Sequence, residues 1–248
     1  MGMIGRVVPA PVLKPAKAFV RWWQGQPPLS GVDFGGLQRL EPFSRSFGTD
    51  RGLAIDRFYI ERFLDARRAD IRGRVLEIGE NTYTRRFGGD QVTRSDVLHV
   101  HDRNRQATIV GDLAAAPHIP DDSFDCIILT QTLQLVFDLQ SAMRTLHRIL
   151  APGGVLLVTV PGISQVAVHS EWGKTWYWAF TSLALERLLR EHMMAADVDI
   201  EVHGNVLTST ALLYGLASEE MTAEALNTSD PEYQLMILAR ATKGLVEQ

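Results

Sequence analysis

Apolar positions along the chain change their period near residue 73. Before it, Leu53, Ile55, Phe58, Ile60, Phe63 and Leu64 recur at helical spacing, and the stripe stops short of Arg72-Gly73. After it, short apolar runs alternate with helical patterns. Val75-Leu76-Glu77-Ile78 halts at Gly79, as a buried strand does on entering a turn. Residues 97–100 and 107–110 predict a second and a third strand, and the nearly unbroken apolar run from Phe124 to Thr130 predicts a central one covered on both faces. Residues 139–150 predict a helix ended by Ala151-Pro152-Gly153-Gly154, where proline and two glycines force a turn. A strand at 155–160, a helix at 181–194, a strand at 198–203, a helix at 209–216 and a strand at 234–241 follow, with an acidic connector over 218–232. This alternation predicts an α/β fold with a doubly wound, mostly parallel sheet.

The first 48 residues have a different texture. They are rich in Pro and Gly and leave room only for a short helix around 16–23. Pro9, Pro11 and Pro15 interrupt the apolar stretch, and Lys14, Lys17 and Arg21 stand where an export signal needs an uninterrupted core. Arg6 occupies the place where a myristoylation motif wants Ser or Thr. No apolar run reaches the roughly 18 residues that span a bilayer. The expectation is a soluble, cytoplasmic protein in two parts: residues 1–72 as an extension carrying a lid helix, and residues 73–248 as the binding domain. Of 248 residues 46% are apolar and 22% charged, which argues for a packed globule. The net charge of -4 offers no footprint for a nucleic acid backbone. Cys126 is the one cysteine, so no intramolecular disulfide and no cysteine-rich zinc site can form.

Candidate chemistry collects where predicted strands end, since ligands of open α/β sheets bind beyond the carboxyl ends of the strands. Gly79 lets a ligand approach the backbone, and the helix after it offers free N–H groups. Glu77 can attract an ammonium group directly or through water. About 22 residues past Gly79 the second strand is expected to end at His101-Asp102, where an acid that accepts from ribose hydroxyls belongs. Gly111-Asp112-Leu113 closes the third strand, where Asp112 can accept from an adenine amino group and Leu113 can pack on the ring.

With Phe124-Asp125 on the fourth strand and His147-Arg148-Ile149-Leu150-Ala151-Pro152-Gly153-Gly154 before the fifth, the chain from about 73 to 161 resembles the small-molecule, class I (Rossmann-like) S-adenosylmethionine-dependent methyltransferases. The resemblance extends through the helix after Phe180-Thr181 and the final strand. It implies a seven-stranded sheet with an antiparallel last strand, S-adenosyl-L-methionine as cofactor, and a small-molecule acceptor. Two departures stand out. Glu80-Asn81 replaces the second glycine of the family's turn, and Asn81 tolerates left-handed backbone angles better than most residues. His101 stands where alignment by strand end wants the acid, leaving the ribose role to Asp102 or to His101 itself. The family also places a loop like Thr130-Gln131-Thr132-Leu133-Gln134 over the cofactor; its polar side chains, Thr130 and Gln131 among them, order the methionine or the acceptor, or else Thr130 or Thr132 simply caps the next helix. Arg57 and Tyr59, on the helix expected as a lid, are candidates for the methionine carboxylate.

Methyl transfer is chiefly in-line positioning of the acceptor. A hydroxyl acceptor also needs a base, and His169, in the loop after the fifth strand, is the candidate. Trp176 and Tyr177, in a run that also holds Trp172, Trp178 and Phe180, are candidates for the acceptor wall. No Asp/Asp/Asn cluster suggests metal assistance. The expected activity is methylation of an oxygen, hydroxyl or carboxylate, on a natural product or sugar. The rival is a non-catalytic subunit of the same fold that braces a partner biosynthetic enzyme.

Overall fold

Apolar side chains on both faces of the central strands dictate a three-layer arrangement. The computed structural model describes Phe19, residues 23–25, Asp33, 35–168, Ser170, 172–193 and 195–245. Contacts divide the chain into two units, Met1–Glu41 and Pro42–Gln248. In the first, a 3₁₀ turn spans Gly35–Leu37, and the Gly35 amide donates to Asp33 Oδ1 at 2.8 Å. The helix expected at 16–23 falls largely outside the described residues.

The second unit holds a seven-stranded sheet. In chain order its strands are β1 (Gly73–Ile78), β2 (Val92–His99), β3 (Ile109–Val110), β4 (Phe124–Thr130), β5 (Leu150–Pro161), β6 (Ala195–His203) and β7 (Met236–Lys243). The spatial order is β3-β2-β1-β4-β5-β7-β6. The first five pair in parallel, and β7 runs antiparallel to both β5 and β6. Among the described residues five α-helices accompany it: α1 (Ile55–Ala66), α2 (Leu139–Ile149), α3 (Ser182–His192), α4 (Val206–Leu213) and the short α5 (Ala223–Asn227).

One core cluster joins Leu76, Ile127, Leu129 and Leu156 to Met143 and Leu146 of α2 and Leu185 and Leu189 of α3. The cluster on the other face joins Val75, Cys126, Ile128 and Leu157 to Ile55, Tyr59, Ile60, Phe63 and Leu64 of α1, with Ala211 and Leu212 of α4. The helix expected as a lid thus packs broadly on the sheet, and it does so inside the unit that begins at Pro42. Caps start the helices. Asp138 Oδ1 accepts from Ser141 N at 3.0 Å before α2, and Asn205 forms a capping box with Thr208 before α4.

Several boundaries depart from the sequence expectation, three of them near the site. β2 begins at Val92, five residues early, and ends at His99, so His101 and Asp102 lie in the turn beyond it. β5 begins at Leu150 and carries Pro152-Gly153-Gly154 within it, Leu150 pairing with Phe124. After β1 comes a π-helical turn, Thr84–Gly88, and a 3₁₀ turn, Gly89–Gln91, instead of a long helix.

Candidate active site

The carboxyl ends of β1, β2, β4 and β5 converge on one rim, where this topology switches direction between β1 and β4. A depression of about 600 Å3 lined by Asp70, Gly73, Asp125 and Gly153 lies at the opposite ends, where strands begin.

At the end of β1, Gly79 has φ +89° and nothing within 4 Å of where a Cβ would stand. The backbone there is open to a ligand, and only glycine takes that angle without strain. Glu77 orders the turn from below. It is buried, and its carboxylate accepts from Thr84 N and Thr84 Oγ1, each at 2.7 Å, and from Tyr83 N at 3.2 Å. Burial raises its pKa, and the Thr84 and Tyr83 hydrogen bonds pull it back. Two of the amides that the sequence reading left free for a ligand, Tyr83 N and Thr84 N, are thus capped by this chain's own acid. Asn81 Nδ2 donates to Ser95 Oγ at 3.2 Å, and Asn104 Nδ2 donates to the Gly79 carbonyl, tying the loop after β2 to the turn. Asn104 carried no sequence signal for that role.

At the end of β2 stands His99, half-buried, with Nδ1 at 3.0 Å from His101 N. His101 and Asp102 are exposed beyond it. Asp112 is exposed, its Oδ1 taking Ala114 N at 2.8 Å, while Leu113 is buried among Leu98 and Ile119. Over the turn after Gly79, Arg57 donates to Tyr83 Oη at 3.5 Å. Burial works against the Arg57 charge, but Asp56, Tyr83 and Glu80 outweigh it and hold the guanidinium protonated. Tyr59 is not brought to this rim as an open side chain. It is 1% exposed, a core residue of α1 whose ring stacks on His203 at 5.0 Å.

β4 ends at half-buried Thr130, and Gln131 follows with φ +48°, a left-handed angle that a glutamine adopts only under constraint. Thr159 O takes its amide at 3.0 Å, and its side chain reaches Met236 Sδ at 3.1 Å. Beside it lies an aromatic shelf that sequence reading found only in part. Trp172 and Trp176 each stack on Phe47, at 6.4 and 6.2 Å, and Phe47 itself has φ +59°. Phe137 meets Tyr177 edge-on at 5.3 Å and stacks on Trp178 at 5.8 Å. Phe137, Val166, Val168, Trp172 and Tyr177 leave much of their apolar surface to solvent. His169 lies outside the described residues, between Val168 and Ser170. Among the described residues no group of three or more His, Cys, Asp or Glu is placed to hold a metal ion, and no helix is long and apolar enough to cross a membrane.

A glycine turn at β1 and a seven-stranded sheet with one antiparallel strand are parts that the sequence resemblance implies. Residues 29–199 match the methyltransferase domain family. The chain belongs to that family. Its cofactor is S-adenosyl-L-methionine, and the open Gly79 turn, with the charged Arg57 beside it, fits an amino acid–nucleoside ligand. The methyltransferase is 38% identical over 71 residues to the ubiquinone/menaquinone biosynthesis C-methyltransferase UbiE of Haemophilus ducreyi, a match covering 26% of this chain and 27% of that one. A S-adenosylmethionine-dependent methyltransferase of Thermotoga maritima, a possible histamine N-methyltransferase, superposes with TM-score 0.54 at 19% identity, over 79% of this chain and 94% of that one. The [4+2]-cyclase SpnF superposes with TM-score 0.51 at 16% identity, over 94% and 93%. These two likenesses are of fold; the cyclase shows that the fold hosts more than one chemistry.

Proposed function

We propose that this chain transfers the methyl group of S-adenosyl-L-methionine to an oxygen of a small, largely apolar acceptor. The observation that carries the reading is the aromatic shelf of half-buried Phe47 and Trp176 with exposed Trp172, Phe137 and Tyr177, beside the strained end of β4. When bound, the cofactor supplies an electrophilic sulfonium methyl group. The protein's part is binding and orientation. Gly79 and Asn81 line the methionine side, where Arg57 offers its carboxylate partner. Glu77 acts through the turn it caps. His99 takes the ribose place at the strand end, with His101 and Asp102 beyond it, while Asp112 and Leu113 serve the adenine end. Thr130 and Gln131 divide cofactor from acceptor, and Trp176 and Tyr177 hold the acceptor's apolar body. His169 takes the proton of a hydroxyl acceptor; its neighbours Val168 and Ser170 belong to the loop that carries Trp172, which supports that role.

A second reading, methylation of ring carbon, is favoured by the C-methyltransferase named among the sequence relatives. One experiment separates these. The protein is incubated with ¹³C-methyl-labelled cofactor and 4-alkylphenols or alkylhydroquinones, and the product methyl is read by NMR. A methoxyl signal is expected, and an aryl methyl signal would move the reaction to carbon. His169→Ala should lower the O-methylation rate by roughly 10²–10⁴ with S-adenosylhomocysteine affinity unchanged. Absence of both products and of S-adenosylhomocysteine binding would favour the non-catalytic subunit.

A further inference from the structure

Within the loop after β4, Gln134 is almost fully buried, at 1% exposure, yet its side-chain oxygen has no hydrogen-bond partner among the described residues. The orientation of the amide is not free. Nε2 donates to the Gln131 carbonyl at 2.9 Å and to Gln131 Oε1 at 3.1 Å, and a backbone carbonyl can only accept. Turning the amide over would set oxygen against oxygen, so Oε1 is the atom left over. A buried acceptor without a partner costs about 1–3 kcal/mol, and native folds seldom retain one without a use.

The same residue is wired into the aromatic shelf. Its backbone carbonyl accepts from Tyr177 N at 2.8 Å and Trp178 N at 3.3 Å. Trp178 Nε1 donates to the Val136 carbonyl at 2.9 Å, and the Trp178 ring stacks on Phe137. On its other side, Gln134 is held by Gln131, the residue forced to φ +48°. Gln134 therefore sits between the strained strand end and the apolar shelf, with a sealed, unpartnered acceptor that a ligand reaches only by displacing the side chains that cover it.

We propose that Gln134 is the acceptor-recognition residue of this enzyme: its Oε1 accepts a hydrogen bond from a hydroxyl of an apolar molecule whose body lies on the Trp172–Trp176 and Tyr177–Phe137 aromatics. The proposal deepens the methyl-transfer reading and rests on its location for the acceptor. It sets the substrate class as an apolar compound with a free hydroxyl at the reacting end, whose proton points to Gln134 Oε1 on docking and passes to His169 only at transfer. It also makes the methylated product a poorer ligand than the substrate, because an ether oxygen has no proton to give.

Tryptophan fluorescence of the full chain, without cofactor, tests this with two probes, 4-octylphenol and its methyl ether 4-octylanisole. Wild type should bind the phenol roughly ten-fold tighter or more, the selectivity a lost buried hydrogen bond produces. Gln134→Met, similar in volume and without the amide, should bind both probes equally, with anisole affinity within about two-fold of wild type. Trp176→Ala should weaken both probes and keep their ratio. Equal binding of the probes to wild type, or a preference that survives in Gln134→Met, overturns the proposal. If Gln134→Met fails to fold, Gln134→Asn replaces it, since the shorter amide cannot hold Gln131 and a ligand at once; an undiminished preference there overturns it equally. No cofactor enters the titration, so a failed methyl transfer assay and a failed preference are separate outcomes.

Discussion

Gly79→Ala separates the structural cost of the β1 turn from its function, because the protein carries its own control. Gly79 (φ +89°) and Gly89 (φ +54°) both hold left-handed backbone, and a Cβ at either would meet nothing within 4 Å. Neither substitution creates a clash, so each costs only backbone strain. That strain is about 1–2 kcal/mol, offset by about 0.4–1 kcal/mol from the less flexible unfolded chain. A net loss near 1 kcal/mol predicts a fall in Tm of roughly 2–4 °C for Gly79→Ala in a unit of this size; Gly89 combines its φ with ψ −137°, outside the left-handed helical well, so Gly89→Ala should fall at least as far.

The cofactor separates the two variants. At 100 times its Kd, S-adenosylhomocysteine should stabilise wild type by about 2.7 kcal/mol, which is roughly 5–11 °C. Gly89 ends the π-helical turn at the side where β1 starts, far along the chain's path from the β1 carboxyl end, so Gly89→Ala should keep the full shift. In Gly79→Ala the added methyl fills the open face of the turn. An affinity loss of ten-fold or more, about 1.4 kcal/mol, would remove at least half of the shift. Differential scanning fluorimetry of the three proteins, with and without ligand, reads both quantities in one experiment. A Gly79→Ala protein that retains the whole ligand shift would show that the cofactor does not use this turn.

Other perturbations probe the parts around it. Glu77→Gln exchanges one buried acceptor for a donor facing Thr84 or Tyr83, so it should cost about 1–3 kcal/mol and lower Tm; unchanged melting would mean the carboxylate does not order the turn. Gly173→Ala would set its methyl carbon 1.6 Å from the Ala167 carbonyl oxygen, forcing the loop over 167–175 apart. Octylphenol binding should weaken ten-fold or more, with the S-adenosylhomocysteine shift preserved, and intact octylphenol binding would detach that loop from the acceptor site. Glu220 bonds to Arg51 and to the Ala217 amide, which hold its carboxyl at about 2. Its folded value lies below the unfolded one, so this tether is complete above the ordinary glutamate value near 4.3 and is lost as pH falls towards about 2. Urea denaturation between those pH values should show a steeper acid loss in wild type than in Glu220→Gln; parallel curves would remove the tether from the stability of the 51–53 segment.

How much of this was legible in the sequence depended on whether a rule acts locally. β4 and the start of α2 were read to the residue, because a strand covered on both faces is continuously apolar and Asp138 caps its helix. The beginning of β2 was hidden. Thr93, Arg94 and Asp96 look like loop, yet Asp96 lies buried in the strand, its carboxylate held low by Arg74, Thr108 and Arg94 against the cost of burial. One partner is 22 residues away, and no window along the sequence contains the pair. The misread end of β2 followed, and with it the choice of His101 where His99 closes the strand. Phe47 was missed for the same reason: its meaning is a stack with two tryptophans about 125 residues on.

Backbone strain sorts the remaining candidates. Three described non-glycine residues have positive φ, namely Phe47, Asp122 and Gln131. Aspartate tolerates that angle, and Asp122 is explained by structure alone: Lys243 Nζ donates to it at 2.7 Å, and its own amide bonds to the Arg148 carbonyl at the start of β4. Phenylalanine and glutamine do not tolerate it well, and no ion pair compensates them. Both strained residues touch the aromatic loop or its anchor, Phe47 through Trp172 and Trp176, Gln131 through Gln134. A fold that violates local preference twice in one neighbourhood, and leaves a buried oxygen unpaired among the described residues there, is spending stability where the proposed function puts the acceptor.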